Sequence, residues 1–88
     1  MYVICVYDVK DKRCNKFMKC LRKYLFHVQN SVFEGTLTPK QYNSLQHEIG
    51  TILNENEDSV IFYLSHNDKQ IYKNELGIKR KSSNIIIS

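Results

Sequence analysis

Along this chain the hydrophobic positions form two continuous runs, two helical stripes and several shorter alternating pieces. The first run, Tyr2-Val3-Ile4-Cys5-Val6-Tyr7, is apolar and β-favouring at every position, which predicts a central strand covered on both faces. From Lys12 to Leu25 the period changes: Cys14, Phe17, Met18, Leu21, Tyr24 and Leu25 recur at helical spacing and predict one buried stripe. His27 to Leu37 mixes β-branched and aromatic residues with the turn-formers Asn30, Ser31 and Gly35, predicting a short hairpin or bulged strand pair whose turn the pattern does not place. Thr38-Pro39-Lys40-Gln41 marks a helix start, with Thr38 as N-cap, Pro39 at the first helical position and Gln41 closing a capping box. Tyr42, Leu45, Ile49, Ile52 and Leu53 supply its stripe, while Gly50 costs about 1 kcal/mol relative to alanine and predicts fraying towards Asn54. After a polar loop over 54–58, Ser59 to Leu64 is the second continuous run and predicts another doubly covered strand.

Beyond Ser65, Gln70-Ile71-Tyr72 predicts a short extra strand, Gly77 closes the domain, and residues 78–88 form a basic, serine-rich tail ending in Ile85-Ile86-Ile87. Such a triple isoleucine is an aggregation hazard in water, so the tail either packs on a partner or remains sticky. The order is β-α-β-β-α-β, an α+β ferredoxin-like pattern in one domain over 1–77. A chain of 88 residues has little left to cover the second face of a sheet, and a homodimer is expected to do so. The pattern hosts many unrelated functions, so function must be argued from particular residues.

Charge adds a direction. The net charge is +4, and residues 1–26 hold seven Lys/Arg against two Asp/Glu, residues 27–60 one against five, and residues 61–88 five against two. Lys12, Lys16, Lys19 and Lys23 share the helix face opposite the apolar stripe, with Arg13 and Arg22 beside them, so the first helix is expected to carry a basic ridge. That ridge either follows a phosphate backbone or is a solvated face. No apolar stretch approaches the roughly 18 residues of a membrane span and no signal peptide is legible, so the chain reads as cytoplasmic. Cys5, Cys14 and Cys20 are odd in number and lack C-x-x-C spacing, which predicts reduced thiols.

Asp8 is the most informative single residue, an acid directly after a buried strand. It either caps the turn into the first helix or carries chemistry. One carboxylate binds Mg²⁺ poorly, whereas two copies of Asp8 across a two-fold axis would give the ion two oxygens and leave waters and phosphate to complete its octahedron. His27, His47 and His66 are dispersed, and no nucleotide-binding glycine loop, zinc motif or serine-hydrolase elbow is present.

Tyr7-Asp8-Val9, Lys12-Arg13-Cys14-Asn15-Lys16 and the segment Val28-Gln29-Asn30-Ser31-Val32-Phe33-Glu34-Gly35, in this order, resemble the small CRISPR-associated Cas-two (Cas2) family from Met1 to about Gly77. The resemblance implies a homodimer packed sheet against sheet, with Val32, Phe33 and Ile71 at the interface and a C-terminal strand near 70–76 exchanged into the partner's sheet. It implies a spacer-acquisition adaptor that bridges dimers of the CRISPR integrase subunit and holds the double-stranded DNA prespacer through its backbone, with Lys12, Arg13, Lys16, Lys19 and Lys23 on nucleic acid. The alternative it implies is a magnesium-dependent endonuclease on RNA or DNA, with Asp8 as catalytic and metal-binding residue. Cys14 and Lys16 stand where many members carry arginines around the helix asparagine, and Leu25 stands where a glycine often follows the helix tyrosine.

Overall fold

The computed structural model describes residues 1–67 and 70–79. β1 (Tyr2–Asp8), α1 (Asp11–Arg22), β2 (Phe26–Gln29), β3 (Val32–Thr36), α2 (Pro39–Ile52), β4 (Ser59–Asn67) and β5 (Gln70–Gly77) follow in that order. The strands form one antiparallel sheet in the order β2-β3-β1-β4-β5, with β1 at its centre. This is the ferredoxin-like α+β arrangement the sequence predicts, with a fifth strand on one edge.

Alternation along β1 divides its residues between two environments. Val3, Cys5 and Tyr7 are buried and join Phe33, Val60 and Phe62 from the neighbouring strands against Phe17, Leu21, Leu45 and Ile49 of the two helices. Ile4, Val6, Val32, Ile61 and Tyr63 fall on the other face, where neither helix reaches, and remain half-exposed. Within one chain the expected double coverage is therefore single.

Local chemistry fixes the remaining elements. Thr38 accepts from the Gln41 amide at 3.1 Å and the Gln41 side chain accepts from the Thr38 amide at 2.9 Å, which closes the predicted capping box on α2. The helix runs through Gly50 to Ile52 without fraying, because Ile49 is fully buried and Ile52 packs against the core beyond the glycine. The hairpin turn that the sequence pattern does not place lies at Asn30-Ser31, where Asn30 takes φ +42°, a conformation asparagine tolerates. A bulge between His27 and Gln29 breaks the alternation there and explains why that stretch gives no clean period.

One expectation is corrected. Phe33, expected at a subunit interface, is fully buried in the chain's own core: it pairs with Cys5 on the helix-facing side and stacks on His27 at 4.7 Å. Within the single chain, β5, the strand expected to add to a partner's sheet, runs beside β4 from Ser59↔Gly77 to Asn67↔Gln70. Only two residues separate those strands, so the local pairing carries little loop-closure cost. The triple isoleucine and most of the expected tail lie outside the described residues.

Candidate functional site

Asp8 ends β1 and pairs with Ser59, the first residue of β4. Both side chains belong to the open face of the sheet, together with Val6 and Ile61, and they border a surface hollow of about 250 Å³. Asp8 is exposed whereas Ser59 is buried. Among the described residues no group of three or more His, Cys, Asp or Glu side chains converges to hold a metal ion. One chain thus offers a cation the Asp8 carboxylate and little else, and the residues fit a magnesium ion only as a site shared between two copies of the open face.

Beside Asp8 lies a carboxylate that the sequence does not single out. Asp58 is fully buried, and it accepts from the Lys10 amide at 2.9 Å, the Asn54 amide at 3.0 Å, and the Arg13 guanidinium at 2.5 Å and 3.0 Å. Hydrogen bonding from Arg13 outweighs the cost of burial and holds the carboxyl down at about 2. Arg13 also binds Glu57 at 2.8 Å, and these two partners push its guanidinium pKa up. The carbonyl of Asp58 accepts from the Ile78 amide at 2.8 Å, directly after Gly77. Gly77 takes φ +81° there, and a Cβ at that position would collide with the Asp58 carbonyl oxygen, so only glycine fits.

The predicted basic ridge separates into residues with different partners. Arg13 is turned inward, with its side chain only 14% exposed and committed to Asp58 and Glu57, so the phosphate role expected of it gives way to an internal one. Lys12 approaches Glu57 at 3.9 Å. Lys23 pairs with Glu48 of α2 at 2.8 Å, and Glu48 also accepts from the Cys20 thiol at 3.3 Å. Lys23 and then Cys20 pull the Glu48 carboxyl below its usual range. Burial, reinforced by Glu48, raises the Cys20 thiol to about 12, which keeps it protonated and unreactive. Lys16 and Lys19 are exposed, have no ion-pair partner among the described residues, and line a hollow of about 470 Å³ with Lys23, Thr51 and Ile52. All three cysteines are free, as their number and spacing predict.

Val32 and Ile71 lie with the open-face residues, on β3 and on the outer strand β5 respectively, and Ile71 is 45% exposed. Among the described residues no helix is long and apolar enough to cross a membrane.

A five-stranded ferredoxin-like sheet with helices on one face, an acid at the end of its central strand and lysines along its first helix defines a class of small α+β proteins. Within that class, the family model for the CRISPR associated protein Cas2 matches residues 1–72, and the chain belongs to that family. It is 46% identical over 87 residues to the "CRISPR-associated endoribonuclease Cas2" of Dictyoglomus turgidum, covering 99% of this chain and 100% of that protein. It is 45% identical over 86 residues to the protein of the same description from Thermotoga maritima, covering 98% of this chain and 99% of the relative. Among solved structures, one described as a crystal structure of cas2 superposes with a TM-score of 0.70 at 36% identity, covering 100% of this chain and 97% of that one. Streptococcus pyogenes Cas2, crystallised at pH 6.5, gives 0.69 at 37% identity, over 74% of this chain and 86% of its own.

Proposed function

We propose that this protein acts as a homodimeric adaptor in CRISPR spacer acquisition, holding a DNA duplex through its backbone and bridging copies of the integrase subunit. The observation that carries this reading is the division of the molecule into two unlike surfaces. The sheet's open face, with Ile4, Val6, Val32, Ile61 and Tyr63, is suited to a second copy. The helical side, with exposed Lys16 and Lys19, is suited to phosphates. Pairing through the open face leaves the lysines of both chains outward, so one dimer offers two basic surfaces. Family membership supports the CRISPR context.

The second reading is a metal-dependent endonuclease, favoured by the endoribonuclease description of the relatives and by the position of Asp8 on the open face. In that reading the two Asp8 carboxylates of a dimer hold the ion and Ser59 borders the same hollow. Bound magnesium would supply Lewis-acid stabilisation of charge developing on the phosphodiester. The lysines would hold the strand in place, a role that survives without cleavage.

Asp8→Asn separates the readings in a spacer-acquisition assay. The adaptor reading predicts acquisition near the parental level. Loss of acquisition by a variant that still forms the integrase complex would instead assign the function to cleavage.

A further inference from the structure

Among the described residues the buried polar ones are Asp58 and Ser59, and Asp58 is a charged one with no exposure at all. Nothing in packing requires an acid there. Its partners explain its place: Lys10 and Arg13 belong to the start of α1, and Asn54 to the loop after α2. α1 begins at the N-cap Lys10 with no side-chain cap of its own, whereas α2 carries a full capping box. A helix start leaves amides unpaired and bears partial positive charge, so an anion stabilises it. Asp58 brings that anion from 48 residues away.

The corner held in this way is the one from which Asp8 emerges. Lys10 follows Asp8 by two residues, and Asp8 pairs with Ser59, the neighbour of Asp58. We infer that Asp58 is a positioning residue for Asp8: gripped by the Lys10 amide and the Arg13 guanidinium, it fixes the β1–α1 corner and so the point on the open face at which the Asp8 carboxylate is presented. The Asp58 carbonyl, bound to the Ile78 amide, ties the end of β5 to the same anchor. The significance of this placement rests on the reading of Asp8 as a functional acid; the placement itself can be measured independently.

The test uses Asp58→Asn and Asp8→Asn in the full chain, read by amide exchange and by Mn²⁺-induced broadening of the Asp8 amide signal. In Asp58→Asn, the Lys10 amide should exchange about tenfold faster while the amides of Leu45 and Phe62 stay within about twofold of the parent. The Mn²⁺ concentration for half broadening should rise about tenfold, as expected when a group supporting a ligand is removed, and Asp8→Asn should abolish the broadening. If Asp58→Asn is too unstable to study, Arg13→Lys, which keeps the charge but loses the fork, should shift Lys10 exchange in the same direction. Unchanged Lys10 exchange, or acceleration equal at Lys10, Leu45 and Phe62, would overturn the inference. Selective loosening of Lys10 in a protein whose Asp8 signal ignores Mn²⁺ would uphold the positioning role and refute the metal reading of Asp8.

Discussion

Asp58 has the clearest consequence at the scale of single residues. Its folded pKa of about 2 lies below the value of about 3.9 expected in the unfolded chain. The unfolded state therefore takes up its proton first as pH falls. The stabilisation is complete above about pH 5 and is lost as pH descends through about 4 towards 2. Thermal unfolding followed against pH should show a steep acid limb in the parent and a flatter one in Asp58→Asn. Asp58→Ala should cost on the order of 3 kcal/mol in urea unfolding, since it leaves two amides unpaired and takes from Arg13 its buried partner. A loss below about 0.5 kcal/mol, the size of an ordinary surface substitution, would contradict this. None of it was legible from the sequence, because a partner 48 residues away leaves no periodic trace and Asp58 closes a stretch that reads as polar loop. Arg13 was misplaced for the same reason: its position puts it beside the ridge lysines, and only the tertiary fold turns it inward. The place of Asp8 at the end of β1 was legible because a charge ending an unbroken apolar run stands out locally.

Individual elements behave as their local chemistry dictates, and two glycines show it in opposite senses. Gly50 is exposed in α2, and a Cβ added there would meet nothing within 4 Å, so Gly50→Ala should stabilise by about 1 kcal/mol. Gly77→Ala should destabilise by more than that, because its φ of +81° and the Asp58 carbonyl both exclude a Cβ. Denaturant unfolding of the two variants tests both signs at once. For α1, Lys16→Ala with Lys19→Ala should flatten the slope of log K against log salt for duplex DNA by about 1.8, the contribution of two phosphates. Sequence preference should not change, and an unaltered slope would return the ridge to a solvated face. Capping box, helical stripes and strand runs were readable because each is a pattern within a few residues. The β2–β3 turn was not, since the bulge and the positive φ of Asn30 interrupt the period that would reveal it.

For the whole molecule the decisive feature is a sheet with helices on one side only. Continuous apolar runs signal two coverings, and a single chain supplies one, so the runs marked an open face without identifying every residue on it. Val32 and Ile71 belong there, whereas the alternation of β3 sends Phe33 inward. A charge placed on the open face, as in Ile61→Asp, should weaken pairing of chains and leave the fold intact, since Ile61 is outside the core cluster. Loss of helical signal in that variant would show instead that the residue supports the monomer.

Sedimentation equilibrium of the purified protein at micromolar concentration tests the pairing of open faces most directly. The expected result is a mass twice the 10.4 kDa of one chain, reverting to that of one chain in Ile61→Asp. A well-folded parent that sediments as a single chain would contradict it.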